Sequence, residues 1–334
     1  MITVAKEMSQ IDRGSTSVWR MTETGANSHT YFTHPVWLPD GTGFVFRSTR
    51  TGVSEAFLCE WPGGDIEQVT QGGASCPVVS LAGESVIYTR DRAIREAGLD
   101  GDDDRLVAEF PDGSRGLGIV GETADSRWLV AGVRYSDRTE IAKVPRGGGE
   151  VVSVRRDPRY ITHVVPSPTE PGTLSAAWNL GVIGESPQRL WRIEMGTGHM
   201  EPIYPQALGE LVTHEAWSGD GRWIVFTSGP FTRWPGSFSI RRIDPFTGYY
   251  ETVVDGGNFW HCASNRDCSQ VVSDTNWPDE GIQIVDVSEG QSTLLCESRC
   301  RDAHPHPCFS PRGDEVLFTS DMTGSTQIYV AELP

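Results

Sequence analysis

HPVWLPDGTGFVF at residues 34–46, HEAWSGDGRWIVF at 214–226 and HPCFSPRGDEVLF at 306–318 share one pattern. Each opens with His, runs through a short apolar segment to a turn about six residues on, and continues into a second apolar run. CPVVSLAGESVIY from Cys76 follows the same pattern with Cys in the first position. HVVPSPTEPGTLSA from His163, HCASNRDCSQVVS from His261 and GIVGETADSRWLVAG from Gly118 are looser copies, which makes seven in all. The starts fall about 40 to 51 residues apart, a period that signals a repeat architecture.

Two further strand-like runs follow each opening. The third runs include EAFLCEW, TEIAKV, RLWRIE, FSIRRID, GIQIVDV and TQIYVAEL, and a Gly-bearing turn and a fourth alternating run such as EVVSVRR or YYETVVD come next. Alternation punctuated by turns reads as antiparallel strands rather than helices. Four strands per repeat is the arithmetic of a β-propeller blade. The predicted fold is therefore all-β: a single seven-bladed propeller over residues 1–334, with blades starting near 34, 76, 118, 163, 214, 261 and 304. The seventh repeat stops after its third strand, whereas TSVWRMTE at 16–23 has the pattern of a fourth strand and belongs to no complete blade. Pairing the two removes both open sheet edges, so residues 16–23 are expected to close the ring. The stretch 91–115 is the least regular and is expected to contain a solvated loop, with Asp102, Asp103 and Asp104 as its charged tip.

Composition narrows the function classes. The 334 residues carry 28 Lys+Arg against 45 Asp+Glu, a net charge of −17. That balance argues against nucleic acid, whose phosphates need a basic surface, and against anionic membranes. No apolar run is long enough to span a bilayer, and the N-terminus lacks a signal-peptide core, so a cytoplasmic protein is expected, as a monomer or small homo-oligomer. Seven cysteines without a CxxC pair, including the loose group Cys296, Cys300 and Cys308, fit a reducing compartment and buried thiols. No GxSxG elbow is present, which argues against a hydrolase propeller. The repeat slot holds His rather than the paired carboxylates of a glycosidase.

Five of the eight histidines, His34, His163, His214, His261 and His306, occupy one repeat slot, and His304 lies two residues before the last of them. The first strand of each blade lines the central channel, so equivalent positions converge at one end of it. Clustered imidazoles suit a divalent transition metal or proton transfer, and spacing alone does not choose between them. A non-catalytic protein-binding platform would explain the fold and the acidity but not the histidine slot.

TYFTHPVWLPDG, VTHEAWSGDG, WHCASN and especially AHPHPCFSPRGDEVLFTSD resemble the oligogalacturonate lyases, seven-bladed propeller enzymes of pectin breakdown, over nearly the full chain. The resemblance implies β-elimination on short uronic-acid oligosaccharides, an anionic substrate. It implies a divalent metal, typically manganese, on His261, His304 and His306, with His214 as base and Arg189 assisting. It also puts His29 near the site. His34, His163 and Trp217 are further candidates for substrate contact. Three departures stand out: Arg301 replaces the family's glutamine ligand, Asn179 stands where the family has histidine, and His34 replaces a glutamine. Arg cannot ligate a metal, so Arg301 would instead face the substrate carboxylate. Asn179 makes a glucuronate-containing oligosaccharide the rival substrate.

Overall fold

The computed structural model describes residues 3–4, 6–12, 16–179, 188–233, 237–275, 278–299, 301 and 303–334. Among them the only helical element is one 3-10 turn, Phe231–Arg233; the rest of the regular structure is strand. The strands form seven antiparallel sheets, the blades of a propeller. Blade 2 shows the plan: Ser75–Val79, Ser85–Arg90, Ala93–Gly98 and Arg105–Glu109 pair in chain order from the channel outwards.

Burial explains the sequence pattern. The second strand of each blade is sandwiched between neighbouring blades, so it reads as a continuous apolar run rather than an alternating one. Phe44, Val45 and Phe46 in blade 1, Val225 and Phe226 in blade 5, and Val316, Leu317 and Phe318 in blade 7 are fully buried. Outer strands such as Val152–Asp157 are largely open to solvent. Apolar clusters stitch each blade to the next. Val45 and Ala56 of blade 1 pack with Val86 and Tyr88 of blade 2, Val78 and Ile87 with Val120 and Leu129 of blade 3, and Val130 and Ile141 with Ile161 and Leu174 of blade 4. Leu190 meets Val212 and Ile224 of blade 5, and one large cluster joins blades 5, 6, 7 and 1.

Strand Ser17–Arg20 pairs antiparallel with Gln327–Glu332, Val18 opposite Ala331, so the N-terminus supplies the fourth strand of blade 7. Ser9–Asp12 adds a fifth strand there, and Thr3–Val4 a fifth strand to blade 1 alongside Ile66–Gln68. The stretch 91–115 is more regular than expected, with its charged loop confined to one exposed turn. It carries two strands of blade 2, and the acidic run is the turn between them, with Asp104 accepting hydrogen bonds from Tyr88 (2.7 Å) and Arg95 (3.0 Å). Six of the seven cysteines are free thiols, and Cys300 lies outside the described residues.

A buried polar lock holds the closure. The Gln327 Oε1 accepts from Thr22 Oγ1 and Asn27 Nδ2, both at 2.7 Å, while its Nε2 donates to the carbonyls of Glu23 and Gly25, both at 3.1 Å. Leucine is close in size but can satisfy none of these groups. Gln327→Leu is therefore expected to destabilise the protein by about 1–3 kcal/mol, read from urea unfolding midpoints, since the buried Thr22 hydroxyl loses its acceptor while Asn27 Nδ2 keeps the Thr24 and Gly25 carbonyls.

Candidate active site

The repeat slot is a β-bulge. In blades 2, 4 and 5 the pairing of the inner strand with its neighbour slips by a residue around Cys76, His163 and His214, and in blade 6 around His261. Cys76, His163, His214 and His306 all adopt left-handed backbone, with φ of 49°, 47°, 58° and 49°. Such a conformation costs a non-glycine residue of order 1–3 kcal/mol and persists only where surrounding structure enforces it. The bulge re-aims the side chain out of the sheet and into the channel mouth. A single device repeated around the ring thus gathers side chains far apart in sequence.

Three imidazoles meet most closely. The ligating nitrogens of His261, His304 and His306 lie within 4.8 Å of one another. Asp274, fully buried in the second strand of blade 6, holds His261 at two points. Its Oδ2 is 2.7 Å from His261 Nδ1 and its Oδ1 accepts the His261 backbone N–H at 2.7 Å. The backbone N–H of His306 reaches Oδ2 at 3.4 Å. With Nδ1 committed to the carboxylate, Nε2 of His261 is the nitrogen left for a ligand, the arrangement that orients histidines around metals. Burial keeps His261 and His306 protonating well below the usual imidazole range, helped by the neighbouring imidazoles, so both offer lone pairs. The donor set fits a divalent transition metal.

His214 packs against this cluster, its ring centroid 4.1 Å from that of His261 and 4.4 Å from Trp260. Its Nδ1 lies 2.8 Å from the Trp260 carbonyl, which can only accept, so Nδ1 carries the proton and Nε2 is bare. Burial, then His261, Arg189, His163 and His306, hold its pKa well below the usual value. A neutral imidazole with a free Nε2 can take a proton.

Glu215 links His214 to the rest. Its Oε2 accepts from Arg189 Nε at 3.0 Å, and its Oε1 lies 2.7 Å from His163 Nδ1. Burial alone would raise this carboxyl, but Arg189 and His163 outweigh it and hold it down to about 2. Tyr31 stands at the centre, its ring 4.7 Å from His306, 5.1 Å from His163 and 5.9 Å from His261. Burial and the nearby Glu215 keep its phenol protonated far above pH 10.

Sequence reasoning missed Glu215, Asp274 and Tyr31. A signal existed for Asp274, a lone charge inside the apolar run QVVSDT, and for Glu215 in the HE pair, but none for Tyr31.

The other predicted residues scatter. His34 and His163 line a cavity beside the cluster. His29 is buried with Nδ1 2.7 Å from the Thr30 carbonyl and Nε2 3.2 Å from that of Pro305, so neither nitrogen is turned to a ligand. Asn179 ends the strand after Trp178, its backbone N–H bonded to the Tyr160 carbonyl at 2.8 Å. Arg301 is exposed and tied to Asp321 through its backbone N–H at 3.0 Å. Trp217 lines a second cavity, with Gly219 and Asn265 at the turn end of the inner strands, which His34 also borders.

No family model matches the chain. An oligogalacturonide lyase of Pectobacterium atrosepticum is 22% identical across 96% of this chain and 94% of its own length. An oligogalacturonate lyase of Dickeya dadantii is 25% identical over 209 residues, 56% of this chain and 53% of that protein. Among solved structures, an oligogalacturonate lyase in complex with manganese superposes with a TM-score of 0.92 at 21% identity, covering all of this chain and 98% of the other. TolB from Acinetobacter baumannii shares the propeller more distantly, with a TM-score of 0.53 and 12% identity over 92% of this chain and 64% of its own. Over 96% of its length the chain is thus similar in sequence to an oligogalacturonide lyase, and its propeller fold is that of an oligogalacturonate lyase structure.

Proposed function

We propose that the protein is a lyase that cleaves short uronic-acid oligosaccharides, oligogalacturonides first among them, by β-elimination. The observation that carries this reading is a neutral His214, with its Nε2 bare, packed against the His261, His304 and His306 cluster. The similarity to oligogalacturonide lyases supports the substrate class. When bound to the three imidazoles, a divalent cation, manganese by analogy with the complex above, supplies positive charge against the substrate carboxylate and acidifies the adjacent C–H.

The chain's own residues do the rest. His214 Nε2 takes the C5 proton; the electron pair left behind forms the C4–C5 double bond as the C4–O bond breaks. The leaving oxygen then takes a proton, for which the protonated Tyr31 hydroxyl is a donor. Arg189, fixed by Glu215, orients the anionic sugar. Asp274 keeps His261 in the ligating tautomer.

The purified protein incubated with digalacturonate and with a glucuronate disaccharide should yield an unsaturated product absorbing in the ultraviolet. His304→Ala should lose the bound cation, measured by elemental analysis on the protein itself. If neither sugar gives unsaturated product from the metal-loaded protein, the lyase reading fails.

A further inference from the structure

Opposite charges are well matched over most of this chain, and arginines usually face carboxylates. Arg115 and Arg134 are among the exposed arginines that do not: among the described residues no carboxylate lies within ion-pair distance of either, and what sets this pair apart is that both line one cavity. The two are backbone neighbours, the Arg115 N–H donating to the Arg134 carbonyl at 2.7 Å where the inner strand of blade 3 meets the next. Two like charges on neighbouring strands repel, and both side chains are exposed. The Arg134 guanidinium is held 4.4 Å over the ring of Tyr160, which fixes its plane.

Both arginines line a cavity of about 460 Å³, within the size range of small-ligand sites. Its wall includes Gly116, Gly118 and Gly132, and a Cβ at Gly116 would meet nothing within 4 Å, which leaves room for a flat ring against backbone. On the channel side stand Tyr31, His163 and His34. His34 is 6% exposed, and its Nε2 is buried with no hydrogen-bond partner, a group in want of a donor or acceptor. Tyr31 and His163 are the same residues that pack against His306 and Glu215, so this cavity opens directly beside the proposed reaction centre.

We propose that this cavity is a second carboxylate-recognising subsite: it takes a uronate unit adjoining the one that reacts at His214, with Arg115 and Arg134 gripping its carboxylate. The proposal rests on the lyase reading above and adds to it a preference for chains of several charged sugars over a single one. A paired guanidinium site gives geometric as well as electrostatic selectivity for carboxylate over its neutral ester.

Calorimetric titration on the His214→Asn background separates the two ideas, because it measures binding without turnover. Trigalacturonate is expected to bind about tenfold or more weakly when Arg115→Gln and Arg134→Gln are added, the cost of losing charge-assisted hydrogen bonds, while the fully methyl-esterified trisaccharide binds both proteins alike. An affinity for trigalacturonate that changes by less than about twofold overturns the subsite, and so does an absence of trigalacturonate binding to the protein with both arginines intact. Failure of the lyase reading shows elsewhere, as no unsaturated product from the wild-type protein, and leaves the titration result standing.

Discussion

His214→Asn is expected to lower the rate of unsaturated-product formation by about 10²–10⁴-fold, the usual contribution of a positioned general base, while folding and bound-cation content stay at wild-type level. Asparagine is the informative replacement. His214 sits at φ 58°, a conformation that asparagine tolerates better than alanine, so the bulge survives and only the imidazole is lost. The Trp260 carbonyl accepts from Nδ1 at 2.8 Å, which leaves Nε2 as the one basic atom of the ring. The pH profile carries a second test. Burial, the neighbouring imidazoles and Arg189 lower the His214 pKa from 6.5, so the base stays unprotonated as pH falls through the ordinary imidazole range. The acid limb of kcat/KM should accordingly lie below pH 6.5. A His214→Asn protein that keeps activity within about tenfold of wild type would remove the residue from its role as base.

The propeller could be read from the chain because its information is local. Each turn and each apolar second strand is written within a dozen residues, and seven repetitions make the period unmistakable. The slot that gathers the histidines was legible for the same reason. That the backbone turns left-handed at Cys76, His163, His214 and His306 was not, because φ is set by how the inner strand pairs with the next and leaves no mark on composition. The contacts that make a site out of the slot cross blades: Arg189 of blade 4 reaches Glu215 of blade 5, and Tyr31 of blade 1 meets His163, His261 and His306. Glu215 and Asp274 look in sequence like ordinary strand carboxylates, and only burial shows that they are committed to Arg189, His163 and His261. Trp217 illustrates the opposite failure. It is three residues from His214 in the chain, yet the strand carries it into a separate cavity with Gly219 and Asn265.

Glu215→Gln is expected to destabilise the protein by about 3 kcal/mol at pH 7. A carboxyl that ionises at about 2 in the folded protein, against 4.5 when freely solvated, favours the fold by roughly 1.4 kcal/mol for every tenfold difference in proton affinity. The folded-state pKa is the lower one, so this stabilisation is complete above pH 4.5 and drains away as pH falls towards 2, where the folded protein also takes up the proton. Urea unfolding of both proteins between pH 7 and 2 should show the gap between them closing over that interval. A gap that stays constant with pH would mean that the amide is merely a poor fit and that charge is not what Glu215 contributes. The same substitution should lower kcat/KM, since a neutral amide holds the Arg189 guanidinium less firmly than a carboxylate does. Its effect on catalysis and its effect on stability then have one origin. The carboxylate is buried at a net desolvation cost that Arg189 and His163 must offset, and the geometry that offsets it is the geometry that fixes both cations beside the base.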